Sequence, residues 1–278
     1  MSFPDLVTAA QLAAWQQEPD LVVLDGSWFL PGSDGDGRTA FLTQRIPGAR
    51  FFDFDGAFAK PGTALPHMLP EPAQFAREMA RLGIQREQRV VVYDCHGIFS
   101  APRVWWMLKA MGHPSVAVLD GGLPAWVAAG YPCEQGEPVE VSPSHYALPD
   151  SVGGAIETPE LLAAIQSGTV QVLDARAPGR FAGLEPEPRP GVRPGHMPGA
   201  VNLPFGTLLE QGHLRSTEQL AEIFERVADL DRPWVFSCGS GVTACILALA
   251  ATVSGHHHWQ VYDGSWAEWG GNPELPLA

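Results

Sequence analysis

Residues 236–245 read FSCGSGVTAC. An apolar run ends in a cysteine, two glycines flank a serine, and a long apolar stretch follows. Gly239 and Gly241 allow the backbone to bend so that successive N–H groups point inward. A helix starting just beyond adds its positive end, so the turn suits an anion at its centre. The residue placed there is Cys238. Such a setting is expected to hold it as thiolate, the nucleophilic form of the side chain. Cysteine-based phosphate hydrolysis needs an arginine six positions on, and position 244 is alanine. Nothing in the loop marks a Cys–His hydrolase. A cradle for a sulfur anion without its own cation suits sulfur transfer, in which the cysteine becomes a persulfide and passes its outer sulfur on.

The elements that must position this loop occur twice. LVVLDGSWF (21–29) returns as VQVLDARAPGRF (170–181), and RIPGARFFDFD (45–55) returns as HMPGAVNLPF (196–205). VVVYDC (90–95) returns as PWVFSC (233–238), and VAVLDGGLPAW (116–126) as WQVYDGSWAEW (259–269). Cys95 and Cys238, Asp120 and Asp263, and Trp126 and Trp269 are all 143 apart, since 238 − 95, 263 − 120 and 269 − 126 agree. The second part of each half therefore aligns without a gap, which indicates a duplicated domain rather than a short-period solenoid. Short runs rich in β-branched and aromatic residues alternate with helical patterns. TPELLAAIQSG predicts a helix with Thr158 as N-cap, STEQLAEIFERVA one from Ser216 or Thr217, and GVTACILALAATVSG a buried helix closed by Gly255. The expected fold class is α/β: two tandem domains, each a mostly parallel sheet flanked by helices on both faces. The Pro-, Gly- and Ser-rich stretch after residue 132 shows no sustained periodicity. The expected division is a domain over 1–138, a linker over 139–156 and a second domain over 157–278.

Lys and Arg number 17 against 31 Asp and Glu, a net charge of −14. An acidic surface repels phosphate backbones, so neither nucleic acid nor a membrane is an expected partner. No run approaches the length needed to span a bilayer, and the N-terminus reads as a turn and a short amphipathic helix rather than a secretory signal. Cysteines 95, 133, 238 and 245 show no C-x-x-C or zinc spacing, so reduced thiols in a cytoplasm are expected, with no metal. HHHW (256–259) reads as a helix-to-strand turn, Cys245 as core, Cys133 as an oxidisable thiol and Arg176 as an ion-pair partner of Asp174.

Taken together, CGSGVTA (238–244), VYDGSWAEW (261–269), RPGHMPGAVNLPF (193–205), DARAPGRFAGLEPEPRPG (174–191) and FSAPRVWWMLKAMGH (99–113) resemble the two-domain rhodanese-type sulfurtransferases over nearly the whole chain. Gly239 and Ser240 stand where thiosulfate-specific members carry basic residues, so the chain is similar to the mercaptopyruvate class. The resemblance implies tandem rhodanese-like domains, the first an inactive copy and the second catalytic, with no cofactor. It implies 3-mercaptopyruvate as sulfur donor, and a thiol, cyanide or a thioredoxin-like protein as acceptor. It places the substrate carboxylate on Arg180 and Arg189, and the transferred sulfur in the cradle of Gly239, Gly241, Val242 and Thr243. It also implies that Ser240, His67 and Asp55 assist pyruvate departure, with Asp53 as a competitor for the acid. Cys95 sits in CHGIFSAPR, where Ile98 and Phe99 replace Gly241 and Val242, and is not expected to carry sulfur. A thiosulfate sulfurtransferase and a non-catalytic rhodanese-fold binding module are the alternatives.

Overall fold

The computed structural model describes residues 3–148 and 151–278. Pro149 and Asp150, inside the expected linker, lie outside the described residues, as do the first two positions of the expected first domain. The chain divides into two compact units. One contains the residues up to Ala59, Pro70–Gly153 and Gln211–Leu214; the other contains Lys60–Leu69, Gly154–Glu210 and Arg215–Ala278.

Each unit is built on a five-stranded sheet, and the two sheets have the same order. In the first, Leu6–Val7, Val116–Leu119, Arg89–Tyr93, Leu21–Asp25 and Arg50–Phe51 lie side by side, all parallel. In the second the order is Ala155–Ile156, Trp259–Tyr262, Trp234–Ser237, Gln171–Asp174 and Val201–Asn202, again all parallel. Helices flank both sheets, so the central strands are apolar without alternation: Val90, Val91 and Val92 are buried, as are Val235 and Phe236. The helices Ala101–Ala110 and Ala244–Val253 are buried over almost their whole length. The repeat extends to side chains. Trp126 Nε1 donates to the Pro132 carbonyl at 2.8 Å, and Trp269 Nε1 donates to the Pro276 carbonyl at 2.8 Å.

Local signals set several helix starts. Ser216 caps Thr217–Val227 through a capping box with Gln219, and Thr8 caps Ala9–Trp15 in the same way with Gln11. The expected cap at Thr158 is displaced by one residue. Glu157 is the N-cap of Thr158–Ser167, and the Thr158 hydroxyl bonds instead to the Tyr262 hydroxyl. Gly168 closes that helix in the left-handed region. The stretch expected as linker is partly tied down. Ser144 Oγ donates to the Ile84 carbonyl, Tyr146 is buried against His113, and Ala155–Ile156 form an edge strand. Among the described residues no helix is long and apolar enough to cross a membrane.

Candidate active site

Parallel strands bring their carboxyl ends to one edge of the sheet, where loops from distant segments meet. In the second unit the strand Trp234–Ser237 leads into Cys238, and the strand Gln171–Asp174 leads to Arg176 and Arg180. The strand Trp259–Tyr262 leads to Asp263 and Ser265.

Cys238 is 2% exposed. The Gly241 N–H donates to Cys238 Sγ at 3.1 Å, a bond that stabilises negative charge on the sulfur. Gly241 has φ +80, the left-handed conformation that turns its N–H back onto the cysteine and that favours glycine. The loop is anchored to the next strand's turn. The Cys238 N–H donates to Ser265 Oγ at 3.1 Å, and Ser265 Oγ donates to the Tyr262 carbonyl at 2.9 Å. Trp266 and Ala267 donate their N–H groups to the carbonyls of Cys238 and Gly239, each at 2.9 Å. Ser265 holds this position at φ +50, unusual for a residue with a Cβ. Ser240 and Val242 are buried in the loop, and Thr243 leads into the helix Ala244–Val253.

Arg180 overhangs this loop. A Cβ added to Gly239 would lie 2.9 Å from Arg180 Nη2, so the glycine leaves room for the guanidinium. Arg180 Nη2 pairs with Glu187 Oε2 at 2.5 Å, while Arg180 Nε is buried without a hydrogen-bond partner. Glu187 in turn accepts from Arg176 Nη1 at 2.8 Å. Arg176 is fully enclosed. Its Nε and Nη2 grip both oxygens of Asp174, its Nη2 also donates to the Gly195 carbonyl, and its guanidinium lies 4.3 Å from the Trp266 ring centroid. Arg176 is thus the ion-pair partner expected from sequence, and it also supports Arg180 through Glu187. Arg189 lies in the same unit, half-buried.

His67 also belongs to the second unit, although the sequence places it in the first half. The segment Lys60–Leu69 is held there by the Leu69 N–H, which donates to Asp263 Oδ2 at 2.7 Å. His67 is buried and sits at φ +60. Asp55 belongs to the first unit, where its Oδ2 accepts from Trp28 Nε1 at 2.9 Å. Asp53 is engaged in its own turn, accepting the Ala57 N–H at 3.2 Å.

The Cys95 thiol is pushed up to about 11, first by burial and then by the nearby carboxylates of Asp94 and Asp25. Cys245 is buried, and its Sγ donates to the Gly241 carbonyl at 3.2 Å, so it supports the loop from the helix. Cys133 is half-buried against the first unit's core. His256 stacks on Trp234 with centroids 3.5 Å apart, within the helix-to-strand turn expected of HHHW. Sequence reasoning missed Ser265, Asp263 and Glu187. The first two stand in a DGSW run that recurs at 25–28, and Glu187 is one of two acids between the paired arginines.

The chain matches the rhodanese-like domain family twice, over residues 8–129 and 157–272. It is 41% identical to the 3-mercaptopyruvate sulfurtransferase of Homo sapiens, covering 97% of this chain and 94% of that protein. It is 42% identical to the thiosulfate sulfurtransferase of Gallus gallus, covering 90% of this chain and 86% of that protein. Among solved structures, SseA from Escherichia coli, described with the rhodanese fold of 3-mercaptopyruvate sulfotransferases, aligns with a TM-score of 0.85. That alignment has 35% identity and covers 94% of this chain and 98% of SseA. With a cradled cysteine in the second of two matched domains, the chain belongs to the rhodanese-like family and is one of its two-domain sulfurtransferases.

Proposed function

We propose that the chain takes sulfur from 3-mercaptopyruvate onto Cys238 and passes it to a thiol or cyanide acceptor. The observation that carries this reading is the cradle itself. The Cys238 sulfur accepts the Gly241 N–H at 3.1 Å, and the Arg180 guanidinium hangs over Gly239 with a buried, unpartnered Nε. A planar guanidinium can grip a carboxylate through parallel hydrogen bonds, and Arg180 with Arg189 would hold the single carboxylate of a keto acid.

The Cys238 thiolate attacks the donor's sulfur. An S–S bond forms, the C–S bond breaks, and its electron pair becomes the enolate of pyruvate, which takes a proton at carbon. The N–H groups of Gly239, Gly241, Val242 and Thr243 stabilise the charge carried by the outer sulfur. Ser240, His67 and Asp55 are the residues assigned to polarise the ketone and manage the proton. In the second step an acceptor thiolate, free or on a thioredoxin-like protein, or cyanide attacks the outer sulfur, and Cys238 leaves as thiolate. A reducing compartment such as the cytoplasm suits this cycle, because it keeps Cys238 available as a thiol.

Thiosulfate is the rival donor, and the 42% identity to the chicken thiosulfate enzyme gives it weight. A doubly charged sulfonate favours cations in the loop, and this loop offers Gly239 and Ser240 instead. The test compares steady-state kcat/KM for both donors and weighs the intact protein after exposure to each. The expected result is one added sulfur on Cys238, pyruvate release, and a clear preference for mercaptopyruvate. A preference for thiosulfate overturns the donor assignment. If Cys238 gains no sulfur from either donor, a binding module becomes the better account.

A further inference from the structure

The two copies differ at the residue just before the cysteine. Asp94 precedes Cys95, and Ser237 precedes Cys238, at the same offset of 143 (237 − 94). In the first unit the Asp94 carboxylate lies inside the loop. Its Oδ1 accepts the His96 N–H at 2.9 Å. Its Oδ2 accepts the N–H groups of Phe99 at 2.8 Å, Ser100 at 2.9 Å and Ala101 at 2.9 Å. Four donors thus converge on one buried carboxylate at the start of the helix Ala101–Ala110. Adding 143 turns those donor positions into Gly239, Val242, Thr243 and Ala244, the first three of which belong to the cradle around Cys238.

The second unit has no carboxylate at that point. Ser237 Oγ is fully buried and has no hydrogen-bond partner, so its short side chain does not reach the loop donors. The sulfur of Cys238 receives the N–H of Gly241, the position that matches Ile98 and that lies between the donors held by Asp94 in the first copy. We propose that the residue before the cysteine decides which copy can react: Asp94 fills the first cradle with a tethered anion, and Ser237 leaves the second open to the reacting sulfur.

Two consequences agree with this. A cradle already holding an anion neither stabilises a second one on the adjacent sulfur nor admits an anionic donor. Burial and the charges of Asp94 and Asp25 together push the Cys95 thiol up to about 11. Access is not what silences Cys95, because a cavity of about 430 Å³ opens beside it, lined by Asp36, Thr39 and His96 among others.

The inference rests on Cys238 as sulfur carrier, and the experiment separates the two. In the full chain, Ser237→Asp, Ser237→Asn and Asp94→Ser are compared with the parent. One readout is sulfur loading from mercaptopyruvate, by mass. The other is the rate of alkylation of Cys95 and Cys238 by iodoacetamide across pH, by peptide mass. Ser237→Asp is expected to slow both reactions of Cys238 by roughly 100-fold, the cost of losing an oxyanion-type donor. Ser237→Asn, equal in size but neutral, is expected to cost at least about tenfold less, since only a charge competes with the thiolate. Asp94→Ser is expected to raise Cys95 alkylation at neutral pH by about tenfold or more, with its pH midpoint moved down. The proposal is overturned if folded Ser237→Asp loads sulfur within about threefold of the parent, the spread of a single uncharged contact. It is equally overturned if Asp94→Ser leaves the Cys95 alkylation profile unchanged, and this arm decides alone should Ser237→Asp not fold. Should the parent take up no sulfur, the functional reading fails, and the alkylation arms still report whether each cradle is filled.

Discussion

Replacing Arg176 with Met would test whether the buried charge network holds the catalytic unit together. The Arg176 and Asp174 side chains are each 1% exposed, and Glu187 is 4% exposed. Met keeps much of the volume and the contact with Trp266 but removes every donor. Asp174 then retains the Arg176 main-chain N–H at 2.9 Å as a donor to its carboxylate, and Glu187 retains Arg180. Stranding buried carboxylates by removing one partner costs about 3–5 kcal/mol. Taking about 4 kcal/mol and about 1.4 kcal/mol per tenfold, the opening equilibrium of this unit shifts by roughly a thousandfold. Native-state hydrogen exchange reads this locally, which suits a chain of two units where a single unfolding transition is not assured. Amides of the strands Gln171–Asp174 and Trp234–Ser237 are expected to lose about three decades of protection, while those of Arg89–Tyr93 keep theirs. The triple variant Arg176→Met, Asp174→Asn, Glu187→Gln is expected to recover more than half of the loss, because no buried carboxylate is then left stranded and Arg180, a quarter exposed, keeps access to water. Loss of less than about one decade in the single variant, or no recovery in the triple, refutes the reasoning.

Gly239→Ala probes the approach of Arg180 to the loop without backbone strain. The added Cβ would sit 2.9 Å from Nη2 of a guanidinium already tied to Glu187, so it pushes the carboxylate-binding group aside. KM for mercaptopyruvate is expected to rise roughly tenfold, about one charged hydrogen bond, with kcat changed less; an unchanged KM argues against Arg180 as the carboxylate ligand. His113 gives a pH test of the first unit. Burial pushes its imidazole down to about 4 from an ordinary 6.5, with Nε2–H donating to the Gln88 carbonyl and Nδ1 accepting from the Tyr146 hydroxyl. Its contribution to stability is complete above pH 6.5 and is lost as pH falls toward 4, by up to about 3 kcal/mol. Asp25, pushed up to about 6 by burial, works in the opposite direction. The comparison is therefore between the parent and His113→Gln, by urea titration at several pH values. The variant is expected to show a shallower acid loss, and equal slopes refute the assignment.

Glycines, caps and apolar periodicity act over a few residues, so the sequence alone determined the features that depend on them. These include two copies of a parallel sheet, the turn at Gly241, the buried helix Ala244–Val253 and the contrast between the loops of Cys95 and Cys238. Asp174 and Arg176 were legible because two positions along a loop suffice for a buried pair to close on itself. What only the tertiary structure decided are the contacts made where parallel strands end side by side. Strands adjacent in the sheet come from segments far apart in the chain, and no local pattern records which loops meet. Ser265 holds the Cys238 N–H across 27 positions, and the Leu69 N–H finds Asp263 across 194, carrying His67 into the second unit. The Asp94 carboxylate is the sharpest case. In sequence it is one acid after a strand, and only the folded loop shows four N–H groups closing on it. Side-chain direction at a strand end depends on the pleat and on the turn that follows, and both are properties of the assembled sheet.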